Sequence, residues 1–272
     1  MSLSNIKNSI QSIIVLEKAT AAMRLVAIST NTLLKKEIIK YEKVFEAIHS
    51  VKEDLNINFD NSDKAILYII IGSERGLCGS YNNEVEKKIK EILNKKEHNS
   101  RKNYFFVIGK QLSNRIYKYL FEEIIIFQLF KKQLFNELTN LIYKHALSKS
   151  VNKIIFVYIK STNLFHSEIL EEEFLLNYYQ NKNEDNKILL EREFYEESVF
   201  YDYYIKKLFE YTAIKIFYNA LISEQGYRFI AMDKANRNAI KQKEEKQIYY
   251  NKERQSKITK ELQGLFSFST LN

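Results

Sequence analysis

From the start of the chain a largely apolar row recurs at every seventh position: Ile6, Ile13, Thr20, Ala27, Leu34, Tyr41, Ile48 and Leu55, with no glycine or proline between them. A second row, Leu16, Met23, Thr30, Val44 and Val51, fits the companion position of the repeat. A heptad held this long predicts one helix of about fifty residues, roughly 75 Å at 1.5 Å per residue. No globular core needs a rod of that length, so it must lie along a partner. The far end of the chain supplies the candidate. A second long helix is expected to begin between 196 and 204 and to run close to the C-terminus. Its first part carries Leu208, Phe209, Ile214, Phe217, Leu221, Ile222, Phe229 and Ile230, enough apolar surface to pack on two neighbours. Residues 233–257 are mostly polar, and the end turns apolar again at Ile258, Leu262, Leu265, Phe266 and Phe268, a tip that predicts a partner to house it. The two ends are expected to come together as a shaft, with Ile6, Ile13, Leu16, Met23, Ala27 and Leu34 in the seam of its coiled coil.

Between the ends the pattern changes. Residues 56–64 are polar and turn-like. The run Ala65–Ile71 is short, rich in isoleucine and followed at once by Gly72, as in a strand buried on both faces. An amphipathic helix over Tyr81–Lys96, a strand over 104–108, a helix over 110–120, a strand over Ile124–Phe127, a helix over 131–149 and a strand over 153–159 follow. Strands and helices alternating at this spacing predict a mainly parallel α/β sheet with right-handed crossovers. Residues 167–179 are extended and acidic, as on a solvated edge strand, with Glu171, Glu172 and Glu173 deterring further pairing rather than forming an acid site. The expected divisions are 1–58 for the first helix, 59–200 for the α/β domain and 201–272 for the second helix.

Composition narrows the function classes. Among 272 residues there is one cysteine, so no internal disulfide forms, and the four histidines are too scattered for a local zinc motif. No apolar run reaches the length needed to cross a bilayer and none resembles a signal-peptide core, which leads to the expectation of an intracellular, unprocessed protein. A net charge of +8 raises the question of nucleic acid. Lysine and glutamate are interleaved, however, as in Glu84 with Lys88, Glu86 with Lys90 and Glu91 with Lys95, so the charge reads as a solvated helix face and nucleic-acid binding is not expected.

The junction after the first buried strand runs Gly72, Ser73, Glu74, Arg75, Gly76, Leu77, Cys78, Gly79, Ser80, Tyr81, Asn82. Glycines between a strand and a helix suit phosphate binding by backbone amides. This segment lacks the Gly-Lys-Ser/Thr ending and the spacing of a dinucleotide fingerprint. By itself it reads as a tight structural turn, with a phosphate cradle as the alternative.

The same segment resembles the signature of the gamma subunit of F-type ATP synthases, S-x-D-R-G-L-C-G-x-x-N, matched at Ser73, Arg75, Gly76, Leu77, Cys78, Gly79 and Asn82, with Glu74 in place of the aspartate. Residues 22–27, Ala-Met-Arg-Leu-Val-Ala, are similar to the family's A-M-x-M-V-A. Ser223, Glu224, Gln225, Arg228, Ala231, Met232 and Ala235 are similar to its S-E-x-x-x-R-x-x-A-M-x-x-A, and residues 250–262 to its Y-N-x-x-R-Q-x-x-I-T-x-E-L. Four matches in order span nearly the whole chain. The resemblance implies a Rossmann-like α/β domain between two helices that form an antiparallel coiled coil. It implies a shaft turning inside a ring of three alpha and three beta subunits, one copy per complex, in contact with the epsilon subunit and the c-ring. It implies a peripheral place on the cytoplasmic face of the bacterial plasma membrane, coupling proton flow to ATP synthesis or hydrolysis with no catalytic residue, cofactor or metal of its own. By matching motif positions, Arg228, Gln255 and Thr259, with Arg254 adjacent, correspond to the family's contacts between rotor and stator.

Two other classes remain. One is a nucleotide-binding α/β enzyme with a coiled-coil dimerisation arm, using 72–79 as its phosphate loop. The other is a coiled-coil scaffold, which explains the helices and not the signature.

Overall fold

The computed structural model describes residues 2–54, 57–59, 65–96, 102–116, 123–176, 178–180 and 197–269. Helix α1 spans Leu3–Asp54 without a break. Strand β1 (Ile57–Phe59), β2 (Ala65–Ile71), α2 (Tyr81–Lys96), β3 (Lys102–Ile108), α3 (Lys110–Ile116), β4 (Ile124–Phe127), α4 (Phe135–Ser148), β5 (Lys153–Ser161), β6 (Ser167–Leu175) and β7 (Tyr178–Gln180) follow. Helix α5 then covers Glu197–Ser269. The fold is mixed α/β, with a mainly parallel sheet and two long terminal helices.

The five-stranded sheet has the order β4-β3-β2-β5-β6. Strands β2 to β5 are parallel, and β6 returns antiparallel to β5 in a hairpin. The central strand β2, Ala-Ile-Leu-Tyr-Ile-Ile-Ile, is apolar at every position because both of its faces are covered. Leu67, Ile69 and Ile71 point to one side, into a core with Phe106, Phe156, α4 and the 201–222 part of α5. Ile66 and Ile70 point to the other, where Tyr81, Val85 and Ile89 of α2 and Leu112 and Ile116 of α3 cover them. The first of these cores also takes in Leu34 and Ile38 of α1, with Tyr41 and Ile48 packed against it.

Two compact units emerge, one made of Met1–Ala27 with Arg228–Asn272 and the other of Ile28–Tyr227. The division passes through both long helices, whereas α1 ends at Asp54 and α5 begins at Glu197. In the first unit α1 and α5 run antiparallel, since Glu17 meets Lys243 while Arg24, further along α1, meets the earlier Asp233.

The seam differs from the expected one in its second row. Ile6, Ile13, Thr20, Ala27 and Leu34 are buried, but Leu16 and Met23 are 50% and 43% exposed, and Val44 and Val51 are exposed as well. The second row on the packed side is Ile10, Glu17, Arg24, Asn31 and Ile38, each four residues after a member of the first. Three of these five are polar, which hid the row from a hydrophobic count. Leu55, expected to end the first row, lies outside the described residues.

Other differences are local. The polar stretch after α1 contains β1, whose three residues pair antiparallel with β7. The helix expected over 131–149 opens with a 3-10 turn, Lys132–Leu134, before α4 begins. The helix expected over 110–120 is described to Ile116, and its remainder lies outside the described residues.

Candidate functional site

The signature segment folds into a turn closed by its own side chains. Strands β2 and β3 end side by side, with Gly72 N–H donating to the Ile108 carbonyl at 2.8 Å. A Cβ at Gly72 would stand 2.2 Å from Leu112 Cβ, and Gly109 has φ +105° with a Cβ position 2.6 Å from the Gly72 carbonyl oxygen. Both positions therefore need glycine, one for space and one for conformation. Ser73 is fully buried. Its N–H donates to Asn82 Oδ1 at 3.0 Å, and its Oγ accepts from Asn82 Nδ2 at 2.7 Å and from the Cys78 thiol at 3.3 Å. Leu77 (φ 63°) and Gly79 (φ 57°) turn the chain through the left-handed region.

Ser73, Cys78 and Asn82 are thus brought together inside, while Arg75, Gly76, Leu77 and Gly79 are exposed. The helix N-terminus that would hold a phosphate already carries a carboxylate of this chain. Glu84, in the first turn of α2, accepts from Ser80 Oγ at 2.7 Å and from the Tyr227 hydroxyl at 2.6 Å. A carboxylate at that position satisfies the helix dipole and repels a second anion. Tyr227 in turn stacks edge-on against Tyr81, and burial together with Glu84 pushes its hydroxyl pKa up.

The acidic run on β6 is dispersed. Glu171 pairs with Lys88 at 2.5 Å, Glu172 accepts from Tyr158 at 2.8 Å, and Glu173 pairs with Lys153 at 3.1 Å. Lys88, expected to answer Glu84, is therefore engaged elsewhere, whereas Glu86 and Lys90 meet at 3.9 Å. Among the described residues no group of three or more His, Cys, Asp and Glu is placed to hold a metal ion.

The residues matched to rotor contacts all lie on α5 in the first unit. Arg228 is half-buried, and Arg254, Gln255 and Thr259 are exposed. Thr259 Oγ1 donates to the Gln255 carbonyl at 3.0 Å, so these two share a face one turn apart. Arg228 stands 26 residues before Arg254, about 39 Å along a helix axis, so the structure presents two separate stations and not one site. Around them the first unit leaves large apolar side chains in the open: Val15, Leu16, Met23, Leu25 and Val26 on α1, and Ile248, Ile258 and Leu262 on α5. The side chains of Leu265, Phe266 and Phe268 lie outside the described residues.

Sequence reasoning missed the polar side chains between the arms. Arg24 pairs with Asp233, Lys243 with Glu17, and Asn236 with Thr20 and the Glu17 carbonyl. The Arg24 guanidinium, bonded to Asp233 at 2.7 Å, holds that carboxyl below its ordinary range, with Arg237 adding to the effect. In the second unit Asn31 Nδ2 donates to the Ile222 carbonyl at 2.8 Å, and Glu37 is held low in the same sense by Lys132. The available signal was a polar residue four positions after each of three consecutive members of the first heptad row, Ile13, Thr20 and Ala27.

Over residues 2–267 the chain matches the sequence family described as ATP synthase. It is similar to the ATP synthase gamma chain of Mycoplasmopsis pulmonis, 31% identical over 98% of this chain and 99% of the relative. It is likewise similar to that of Ureaplasma urealyticum, 30% identical over 96% of this chain and 97% of the relative. Among solved structures, a chain of the Euglena gracilis mitochondrial ATP synthase rotor superposes with a TM-score of 0.67 at 13% identity, covering 94% of this chain and 98% of that one. A chain from the F1/c-ring assembly of the same organism reaches 0.70 at 14% identity, covering 98% and 93%. The structural likeness, at such identities, speaks for the fold, and the sequence match carries the family. With nearly all of its length matched, and a relative above 30% identity covered almost completely, the chain belongs to the ATP synthase gamma-chain family.

Proposed function

We propose that this chain is the central rotating shaft of a proton-translocating ATP synthase, coupling proton flow through the membrane sector to ATP synthesis or hydrolysis on a ring of alpha and beta subunits. The observation that carries this is the pair of antiparallel arms, long beyond any need of the α/β core and studded with exposed apolar and polar side chains along their length. Such a surface is stable only inside a sleeve of partners. One shaft cannot contact three chemically identical beta subunits equally, so its orientation gives the three sites different nucleotide affinities. The energy difference between those states must come from differential contacts with the shaft. Arg228, Arg254, Gln255 and Thr259 are the residues proposed to make them, acting on rate and torque and not on the phosphate bond.

In this reading the chain has no catalytic group and needs no cofactor. It is present as one copy per ring of three alpha and three beta subunits, with epsilon and the c-ring at its other end, peripheral to the cytoplasmic face of the bacterial plasma membrane. No helix among the described residues is long and apolar enough to cross a membrane, as a peripheral place requires. Mixing the chain with alpha and beta subunits should give a complex with a single copy, read by native mass spectrometry. Two copies, or no complex, would reject the proposal. In that complex Arg228→Ala and Gln255→Ala should slow multisite ATP turnover without changing composition, since a charge-assisted contact made in only some rotary states alters their relative energies. Failure to assemble with normal turnover per intact complex would make both residues structural.

A further inference from the structure

In the first unit α1 leaves a second face in the open, on the flank away from the buried row of Ile13, Thr20 and Ala27. Ser12, Val15, Leu16, Ala19, Ala22, Met23 and Val26 are all exposed. Six of them stand three, four and seven residues to either side of Ala19, and at 3.6 residues per turn the seven fall within about 120° of one another. This is the set of neighbours through which one helix meets another when their ridges of side chains interdigitate at a crossing. None of the seven is charged, and Lys18 lies outside the face.

The sizes around Ala19 make the face complementary to itself. A two-fold axis through Ala19, with two copies of α1 antiparallel, sets Leu16 against Ala22 of the second copy and Val26 against Ser12, a large side chain facing a small one in each case. Val15 then meets Met23, on both sides of two alanines whose small size lets the helices approach closely. A parallel pair would instead set Leu16 against Leu16, Met23 against Met23 and Ser12 against Ser12, which packs poorly because interdigitation needs large facing small. Charge points the same way. Two copies of a chain with net charge +8 repel each other in general, and an uncharged face is where they can meet without bringing like charges together.

We propose that this face pairs with the same face of a second copy, so that the free chain forms an antiparallel dimer whose two-fold axis passes through Ala19. The paired stretch runs from Ser12 to Val26, about 21 Å of helix, which is short for a permanent interface and sets dissociation in the micromolar range. The dimer covers apolar surface for as long as the chain has no other partner. In a ring of alpha and beta subunits the same face is turned to those subunits, so the dimer parts before the chain enters. That last step rests on the rotor reading, and the dimer itself does not.

Sedimentation equilibrium of the full chain should show a reversible monomer and dimer. A monomer at every concentration, or association that grows beyond two copies, would overturn the proposal. Ala19→Glu, which sets two carboxylates face to face on the axis, should weaken the dimer by more than about tenfold while leaving helix content unchanged, and an unaltered dissociation constant would overturn it. Cysteine cross-linking reads the geometry independently. Under mild oxidation Ala19→Cys should link two copies, since the residue faces itself across the axis. Lys18→Cys, equally exposed but off the face, and Leu16→Cys, which faces Ala22, should not. Equal linking at 16 and 19 would mean a parallel pair or random collision and would sink the antiparallel dimer. Cys78 is buried, and the unaltered chain controls for it. The linked Ala19→Cys dimer should join no complex with alpha and beta subunits until it is reduced, and its ready entry while linked would overturn the parting step. Should the unaltered chain join no such complex, the rotor reading fails, while sedimentation and cross-linking of the chain alone still decide the dimer.

Discussion

At the scale of single residues, the signature is a packing device before it is anything else. Asn82 answers both the N–H and the Oγ of a serine that is sealed from water, so Asn82→Ala leaves the Ser73 N–H unpaired and its Oγ with only the weak thiol donor of Cys78, and should destabilise the chain by roughly 1–3 kcal/mol. Gly72→Ala forces a methyl against Leu112 and should cost about as much, through overpacking rather than lost bonds. Gly76 has open space around its Cβ position, and Gly76→Ala should stay within about 0.5 kcal/mol of the original. Urea unfolding of the full chain followed by circular dichroism separates the three. Equal losses at 72 and 76 would contradict this account of the turn. The seven matched residues were legible in order from the sequence, but their division into an inner trio and an exposed tip was not. That division depends on where α2 begins relative to the end of β2, and the glycine spacing does not determine it.

Among the elements, α5 carries two glycines, Gly226 and Gly264, of which Gly226 lies beside the hairpin of β5 and β6. A Cβ at Gly226 would sit 3.9 Å from the Leu164 carbonyl and Ser161 Oγ, an ordinary contact, so nothing in the packing demands glycine. Gly226→Ala should then raise stability by about 0.5–1 kcal/mol through helix propensity alone. A loss in the same unfolding measurement would mean that the helix must bend there. Strand β6 stands at the edge of the sheet, as its acidic composition foretold, and the structure adds partners for three of its glutamates, Glu171 with Lys88, Glu172 with Tyr158 and Glu173 with Lys153. The strand β1 escaped notice because three residues carry too little periodicity to register, and only β7, more than a hundred residues away, defines it.

For the molecule as a whole, each compact unit holds a carboxylate stabilised by a cation: Asp233 with Arg24 in one, Glu37 with Lys132 in the other. Both carboxyls titrate lower when folded than when unfolded. Their contribution is therefore complete above the ordinary carboxyl range near pH 4 and is lost as the pH falls through the lower folded values. Asp233→Asn should accordingly lower the melting temperature at pH 7, and the two proteins should converge in acid. A difference that persisted or grew below about pH 3 would show that the aspartate matters through something other than its charge.

What the sequence determined by itself was what a local pattern records: one long helix from a heptad without helix breakers, a second from the apolar residues along its first part, a buried central strand from an unbroken apolar run, and an acidic edge. Its ordered motifs carried the family as well. Only the tertiary structure decided which of two flanking rows on α1 faces α5. The apolar row of Leu16 and Met23 competes there with a polar row of Glu17, Arg24 and Asn31. The polar one packs because Lys243, Asp233 and the Ile222 carbonyl stand opposite to satisfy it. A heptad specifies which residues share a face, but the partner that makes one face inner and another outer is two hundred residues away, and no local pattern records it.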